Sequence, residues 1–323
     1  MHMPYNKSIT ASILANLDSE EKVKAAVEES KNTPEKITKL AAFMRGINEE
    51  QYPIYKALME GNLEPFIDLV NEAGEGYWFE SGDVLLMCGD SLKSELLVKS
   101  QKPFYSGVRS SHVAVFFVDH ILVDAMPGTD VSPRTLLDVL KDAKDNWRII
   151  RKKGVARRAK QENLMKACIF YIAQEYEIFK YREAKKKKSK SYCSELARKI
   201  FQHARVENTG IAPTGLITPA HFDRLADESD EWEDVTDNLR PAIEFVNRYE
   251  PIFNILFEQT RNGLLLNRDR FKERADYEKL IKKKLKKKLI SKETAAKAIQ
   301  EIVKMNSEMN NQFWDHQRMK KSS

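Results

Sequence analysis

An α+β fold is predicted by three features of the 323-residue sequence. Short β-type runs are grouped between Tyr77 and about Arg151, helical periodicity lies on both sides of them, and a late extended segment turns into a helix at Ser191-Tyr192-Cys193-Ser194-Glu195-Leu196. Hydrophobic content of 42% and charge of 32% suit a helix-rich globular chain, whose length allows a large buried core and about two domains.

Residues 8 to about 73 carry the first helical signal. Ile37, Leu40, Ala41, Met44 and Ile47 fall on one side of a helix, and Phe66, Ile67, Leu69 and Val70 on a later one. Thr33-Pro34-Glu35 predicts a helix start, with Thr33 capping and Pro34 in the first helical position. Gly74-Glu75-Gly76 then breaks the pattern. Strands are expected at Asp83 to Cys88, His112 to Val118, Ile121 to Ala125 and Trp147 to Arg151, the middle two joined by a tight hairpin at Asp119-His120. Ser132-Pro133 predicts the start of a short helix with Leu136, Leu137 and Leu140 on one face.

A helix is expected over about 157–179, followed by a lysine run and the Cys193 helix, which directs Leu196, Ala197, Ile200, Phe201 and Ala204 to the core. After Thr218-Pro219 the chain turns helical again. Pro241 opens a segment that buries Ile243, Phe245, Val246, Phe253, Leu256 and Phe257. The charged stretch Arg261 to Lys288 reads as a solvent-bridging helix or arm, and a last helix starts near Ser291 with Ala295, Ile299, Ile302 and Val303. The domain reading is a helical extension over 1–75, a central α+β domain over 76–230 and a helical region over 231–323.

Cys88, Cys168 and Cys193 are widely spaced and odd in number, so neither a disulfide framework nor a zinc cluster is expected, and a reducing compartment fits. No cofactor or metal is expected. The first residues lead to no apolar signal region and no later stretch is long enough to span a bilayer, which predicts a cytoplasmic protein; export by a route without a cleaved signal, to a host cell, stays compatible. The net charge of +6 is concentrated in lysine runs at Lys185 to Lys188 and Lys282 to Lys288. These are either solvated faces or contacts with an anionic membrane, where each clustered lysine adds roughly 1 kcal/mol. No nucleic-acid-binding signature accompanies them, so nucleic acid is not expected as a partner.

Cys193 is the candidate nucleophile, since the positive end of a helix dipole and its unpaired N–H groups favour the thiolate. A thiol nucleophile needs a base within reach, and the base needs a third group to orient it. His2 and His316 fall in tails, His120 in a turn and His203 far along the Cys193 helix; His221 is a weaker alternative. His112 opens an apolar strand that can end beside a helix N-terminus. Asp124 interrupts the neighbouring apolar strand, where a carboxylate needs a partner to offset desolvation. Glu195, two residues into the helix, is read as a stabiliser of the dipole. Cys88 and Cys168 are read as small buried hydrophobes.

The order Gly82-Asp83-Val84, Ser111-His112-Val113-Ala114-Val115, Val123-Asp124-Ala125, Tyr192-Cys193-Ser194-Glu195-Leu196 and Thr218-Pro219 resembles the circularly permuted NlpC-type papain-like hydrolases, and among them the YiiX/YaeF group. The resemblance covers about residues 76 to 230 and neither helical flank. It implies a papain-like core with a small antiparallel sheet and packed helices. Cys193 would be the nucleophile, His112 the base, Asp124 the orienting residue where the family more often has Glu, and Tyr192 a helper of the oxyanion. Tyr176-Glu177-Ile178-Phe179 resembles the family's Tyr-Asp-x-x-Phe segment at the site. Tyr176 and Ser111 are read as lining the substrate site, and the lysine run with Lys185 and Lys186, by its position just before Tyr192 alone, is expected to bring positive charge to its mouth.

The function expected is a cysteine hydrolase or acyltransferase that acts through an acyl-enzyme on a peptide or isopeptide amide, an ester or a thioester, including acyl lipids. The alternative is a catalytically vestigial scaffold that binds a protein or an anionic membrane through its helical flanks and lysine runs.

Overall fold

The computed structural model describes residues 28–73, 77–177, 190–307 and 313–314. The fold is α+β. Strands β1 (Val84–Met87), β2 (His112–Val118), β3 (Ile121–Met126), β4 (Asp130–Thr135), β5 (Arg148–Lys152) and, later in the chain, β8 (Trp232–Asp234) form one antiparallel sheet in the order β4-β3-β2-β1-β5-β8. A separate parallel pair, β6 (Glu175–Tyr176) and β7 (Lys190–Ser191), leads into helix α7 (Cys193–His203).

The central strands read as unbroken apolar runs because both faces of the sheet are covered. Side chains alternate between faces with period two. Val84, Leu86, Val113, Val115, Phe117, Val123 and Ala125 pack against α6 (Arg158–Tyr171), α7 and α8 (Pro219–Glu228) through Leu164, Cys168, Leu196, Ile200 and Phe222. The alternate residues Leu85, Met87, Ala114, Phe116, Leu122 and Ile149 meet helices from both ends of the chain. Those helices are α1 (Glu35–Met44), α2 (Tyr52–Met59), α3 (Glu64–Ala73), α9 (Thr236–Arg248) and α10 (Glu250–Lys286), contributing among others Ala42, Tyr55, Phe66, Leu239, Val246 and Phe253. Phe116 and Phe117 are fully buried on opposite faces, each contributing roughly 1.5–3 kcal/mol.

The hairpin at Asp119-His120 forms as expected, and without glycine it is Asp119 that takes the left-handed conformation, with φ 46°; a short polar side chain tolerates that region better than most. The five residues Leu196, Ala197, Ile200, Phe201 and Ala204 are all buried.

Several local expectations are corrected. Ser132-Pro133 does not start a helix but lies in edge strand β4, where a missing N–H costs no ladder bond; the helix, α5 (Leu136–Lys141), begins after it, capped by the Thr135 side chain. The 157–179 helix already ends at Tyr171. Pro241 sits inside α9 rather than opening a segment, and the helical turn it interrupts is solvent-exposed at Asp237 and Pro241. Thr33 donates its hydroxyl to the Glu29 carbonyl and leaves the α1 N-terminus uncapped, with Pro34 just outside the helix. Of the α1 stripe, Ile37, Leu40 and Met44 are exposed, and α1 buries Ala42 instead. The charged stretch belongs to the 37-residue helix α10, and its distal part packs Ile281 against Ala295 and Ile302 of α11 (Lys292–Ser307).

Candidate active site

Continuing the Val115–Val123 and Phe116–Leu122 register by one position sets Asp124 opposite Ala114, so its carboxylate shares a face with His112, two residues away along β2. His112 Nε2 lies 2.5 Å from Asp124 Oδ1. Asp124 is only 1% exposed, and its other oxygen accepts from Arg134 Nη1 at 3.3 Å. Arg134, on β4, is anchored in turn by Asp142 at 3.0 Å and by the Asp138 carbonyl at 3.2 Å. A buried carboxylate is thereby held between an imidazole and a guanidinium.

The segment before His112 is fixed as firmly. Asp223 of α8, fully buried, accepts from the backbone N–H groups of Arg109 at 2.9 Å and Ser110 at 2.8 Å, and from Arg148 at 2.7 Å. Gln101, at the end of α4 (Leu92–Gln101), donates to the Ser110 carbonyl at 3.1 Å and accepts from the Ala220 N–H at 2.9 Å. The strand therefore delivers its first residue, His112, from a clamped turn.

Cys193 arrives from the other side as the first residue of α7, after Tyr192 in extended geometry with φ −106° and ψ 171°. The first N–H groups of a helix have no intrahelical acceptor, so the thiol sits in a field of donors. Burial pushes the thiol's pKa up, but the charge of His112, a hydrogen bond with it and the Val113 backbone together hold it below the ordinary thiol value. On His112 burial opposes the charge, yet Asp124 and Cys193 outweigh it and raise the imidazole well above its usual range. With Nε2 committed to Asp124, Nδ1 is the ring nitrogen left for the thiol. Each group thereby favours the charged form of the other.

Tyr176 of β6 also reaches this place: burial, then Cys193 and Asp124, push its hydroxyl's pKa up, which keeps it a neutral donor. The Tyr192 hydroxyl instead engages the Ile217 backbone and lies near Glu195 and Arg198. Ser111 is buried, with its hydroxyl accepting from the Gly89 N–H at 3.3 Å. Lys185, Lys186 and the Ile178-Phe179 part of the resemblance lie outside the described residues. Glu195 is paired with Arg198. His221 caps α8, its Nδ1 accepting from the Thr218 N–H at 3.1 Å, and His203 stacks edge-on against Phe170. Cys88 and Cys168 are buried, and burial alone pushes the Cys168 thiol up.

Two contributors escaped the sequence reading. Arg134 follows Asp124 by ten residues and becomes visible only through the β3–β4 register, Asp124 opposite Ser132. Gln174, Ser191 and Lys199 form a polar cluster behind Cys193. Among the described residues no three His, Cys, Asp or Glu side chains gather as a metal site would require, and no helix is long and apolar enough to cross a membrane.

Neither a protein family nor a curated protein matches the chain. Among solved structures, it shows a weak similarity to the metalloprotein YiiX of Escherichia coli O157:H7, with a TM-score of 0.33 and 16% identity over 50% of this chain and 89% of that one.

Proposed function

We propose that the chain is a cysteine-dependent hydrolase or acyltransferase on a circularly permuted papain-like core, acting through an acyl-enzyme on an amide, ester or thioester. The observation that carries the reading is the 2.5 Å bond between His112 and the buried Asp124, with the Cys193 thiol as the ring's second partner. A half-buried imidazole bridging a carboxylate and a thiol is the arrangement that nucleophilic acyl transfer requires.

The Cys193 thiolate attacks the substrate carbonyl carbon, and the carbonyl π electrons move to oxygen. That oxyanion is met by the backbone N–H of Cys193 and the Tyr176 hydroxyl, the Tyr192 hydroxyl being engaged at the Ile217 backbone; one such donor is worth on the order of 3 kcal/mol. Collapse expels the amine, alcohol or thiol, which takes the proton from the His112 imidazolium. The neutral ring then removes a proton from water, or from a second nucleophile, as it attacks the thioester; the carboxylic acid or new acyl product leaves and the ion pair is restored. Asp124 keeps the ring oriented through both proton transfers.

Iodoacetamide labelling followed by mass spectrometry tests the thiol directly. Cys193 is expected to alkylate selectively at pH 6–7, faster than in the unfolded chain, with the advantage lost in His112→Ala. Acyl-lipid and peptide panels then separate the substrate classes, and Cys193→Ala is expected to lower turnover by at least about 10³-fold. A folded-state Cys193 that reacts no faster than the unfolded one sinks the proposal.

A further inference from the structure

We infer that Lys199 is a positioning residue for the Cys193 site, tying the strand that delivers the nucleophile to the turn that delivers Tyr176. The inference rests on the reading of Cys193 as nucleophile given above.

Lys199 lies on α7, six residues after Cys193. Its Nζ donates to the Lys190 carbonyl at 2.6 Å, to Ser191 Oγ at 2.8 Å and to Gln174 Oε1 at 3.5 Å. Ser191 Oγ hydrogen-bonds the same Gln174 oxygen. Gln174 and Ser191 are buried, at 0% and 1% exposed. Among the described residues one ammonium group therefore meets three acceptors, and an ammonium has three N–H bonds to give.

The acceptors are the two arms of the site. Ser191 lies two residues before Cys193 and is the last residue of β7; Gln174 lies two residues before Tyr176 and precedes β6. Among the described residues the β6–β7 ladder that joins these arms has two register pairs, Glu175–Lys190 and Tyr176–Ser191, and so short a pair is marginal by itself in water. The Gln174 arm is also held by β4, through the Val131 backbone and the Asp130 side chain; Lys199 joins that arm to Ser191 from the side of α7.

Among the described residues, the charged and aromatic groups facing Lys199 include Glu195 and Arg198 on its own helix and the Tyr171 ring of α6, 6.0 Å away. Burial brings the Lys199 pKa down to about 8, with Glu195 raising it and Arg198 lowering it. At neutral pH the ammonium form still dominates, so all three bonds are available. Met at this position keeps the aliphatic stem and removes every donor.

The test follows the pH dependence of Cys193 alkylation by iodoacetamide together with thermal unfolding. In Lys199→Met the apparent pKa of Cys193 is expected to rise by about one unit, with alkylation at pH 6 falling about tenfold; Ser191→Ala and Gln174→Leu are expected to shift in the same direction by less. A purely structural lysine would lower the melting temperature and leave the Cys193 pKa where it is, and that outcome overturns the inference. If Lys199→Met fails to fold, Ser191→Ala and Gln174→Leu decide: a wild-type Cys193 pKa in both overturns it. A wild-type Cys193 that is not activated, or that is indifferent to His112→Ala, defeats the nucleophile reading itself and takes this inference with it. An activated wild type with unaffected Lys199, Ser191 and Gln174 variants defeats only this one.

Discussion

The β2–β3 hairpin carries a histidine at each end, and the two behave in opposite ways. His120, in the turn, is 2% exposed with its ring packed 4.7 Å from that of Phe253, and neither ring nitrogen makes a well-formed hydrogen bond. Burial lowers its pKa to about 3, and the Phe253 backbone and Asp138 relieve that only slightly. His112, at the open end, is opposed by burial too, yet its pKa is raised. The difference is the partner: a carboxylate at 2.5 Å and a thiol on one ring, an aromatic wall on the other. In a low-dielectric interior an unpaired imidazole stays neutral, and a paired one becomes a cation.

The largest expected effect comes from removing that partner. Asp124→Ala should turn His112 into a second His120: burial then dominates, its pKa falls below the ordinary value, and Cys193 loses its counter-charge. The thiol, still penalised by burial, moves above its usual pKa. In the wild type the thiolate is present from the lowered Cys193 pKa upward, so alkylation persists into mildly acidic solution. In the variant it appears only on the alkaline side, and the rate at pH 6 should drop by about 10²-fold or more. An alkylation–pH profile that matches the wild type would show that the carboxylate does not set the pair.

The neutral end of the hairpin gives a smaller, pH-dependent effect. The folded-state pKa of His120, about 3, lies below the unfolded value of 6.5, so the unfolded chain binds more protons between them and stability falls as pH falls through that window. From pH 6.5 to 5 the loss is about 2 kcal/mol. Its neighbour Asp119 works the other way: burial, eased by Trp78, raises its pKa to about 6, so its charge costs stability as pH rises towards neutrality and acidification relieves it. His120→Leu removes only the first contribution. Urea unfolding at the two pH values should show the variant gaining about 2 kcal/mol on the wild type at pH 5 relative to pH 6.5. Equal pH responses would mean that His120 is already charged in the fold.

Much of this was legible in the sequence because it is carried by period and polarity. Apolar runs at 112–118 and 121–125 with a two-residue break give the hairpin, and a single acid inside the second run points to a buried pair. A helix with five core-facing residues after Tyr192 fixes where Cys193 starts. What stayed hidden depends on register and cover. Arg134 joins the site only because β4 pairs with β3, and Pro133, a helix-start signal in isolation, marks the sheet edge instead. The α1 stripe of Ile37, Leu40 and Met44 has the period of a core face, yet nothing in the sequence states that α1 buries itself through Ala42. Gln174, Ser191 and Lys199 are ordinary polar residues spread over 25 positions, and their cluster exists only because β6 and β7 bring them together.

The smallest expected effect separates pairing from mere nearness. Glu195 lies two residues from Cys193, but its carboxylate is spent on Arg198, which also donates to the Gly215 carbonyl at 2.8 Å. Its position in the first turn of α7 suits the helix dipole. Glu195→Gln keeps an acceptor for Arg198 and removes the charge, so stability should fall by about 1 kcal/mol or less. Alkylation of Cys193 should change by less than about threefold, since charges that are not in contact with the pair move its protonation little. A tenfold loss with the fold intact would place Glu195 inside the constellation and make proximity, not the His112–Asp124 contact, the feature that tunes the thiol.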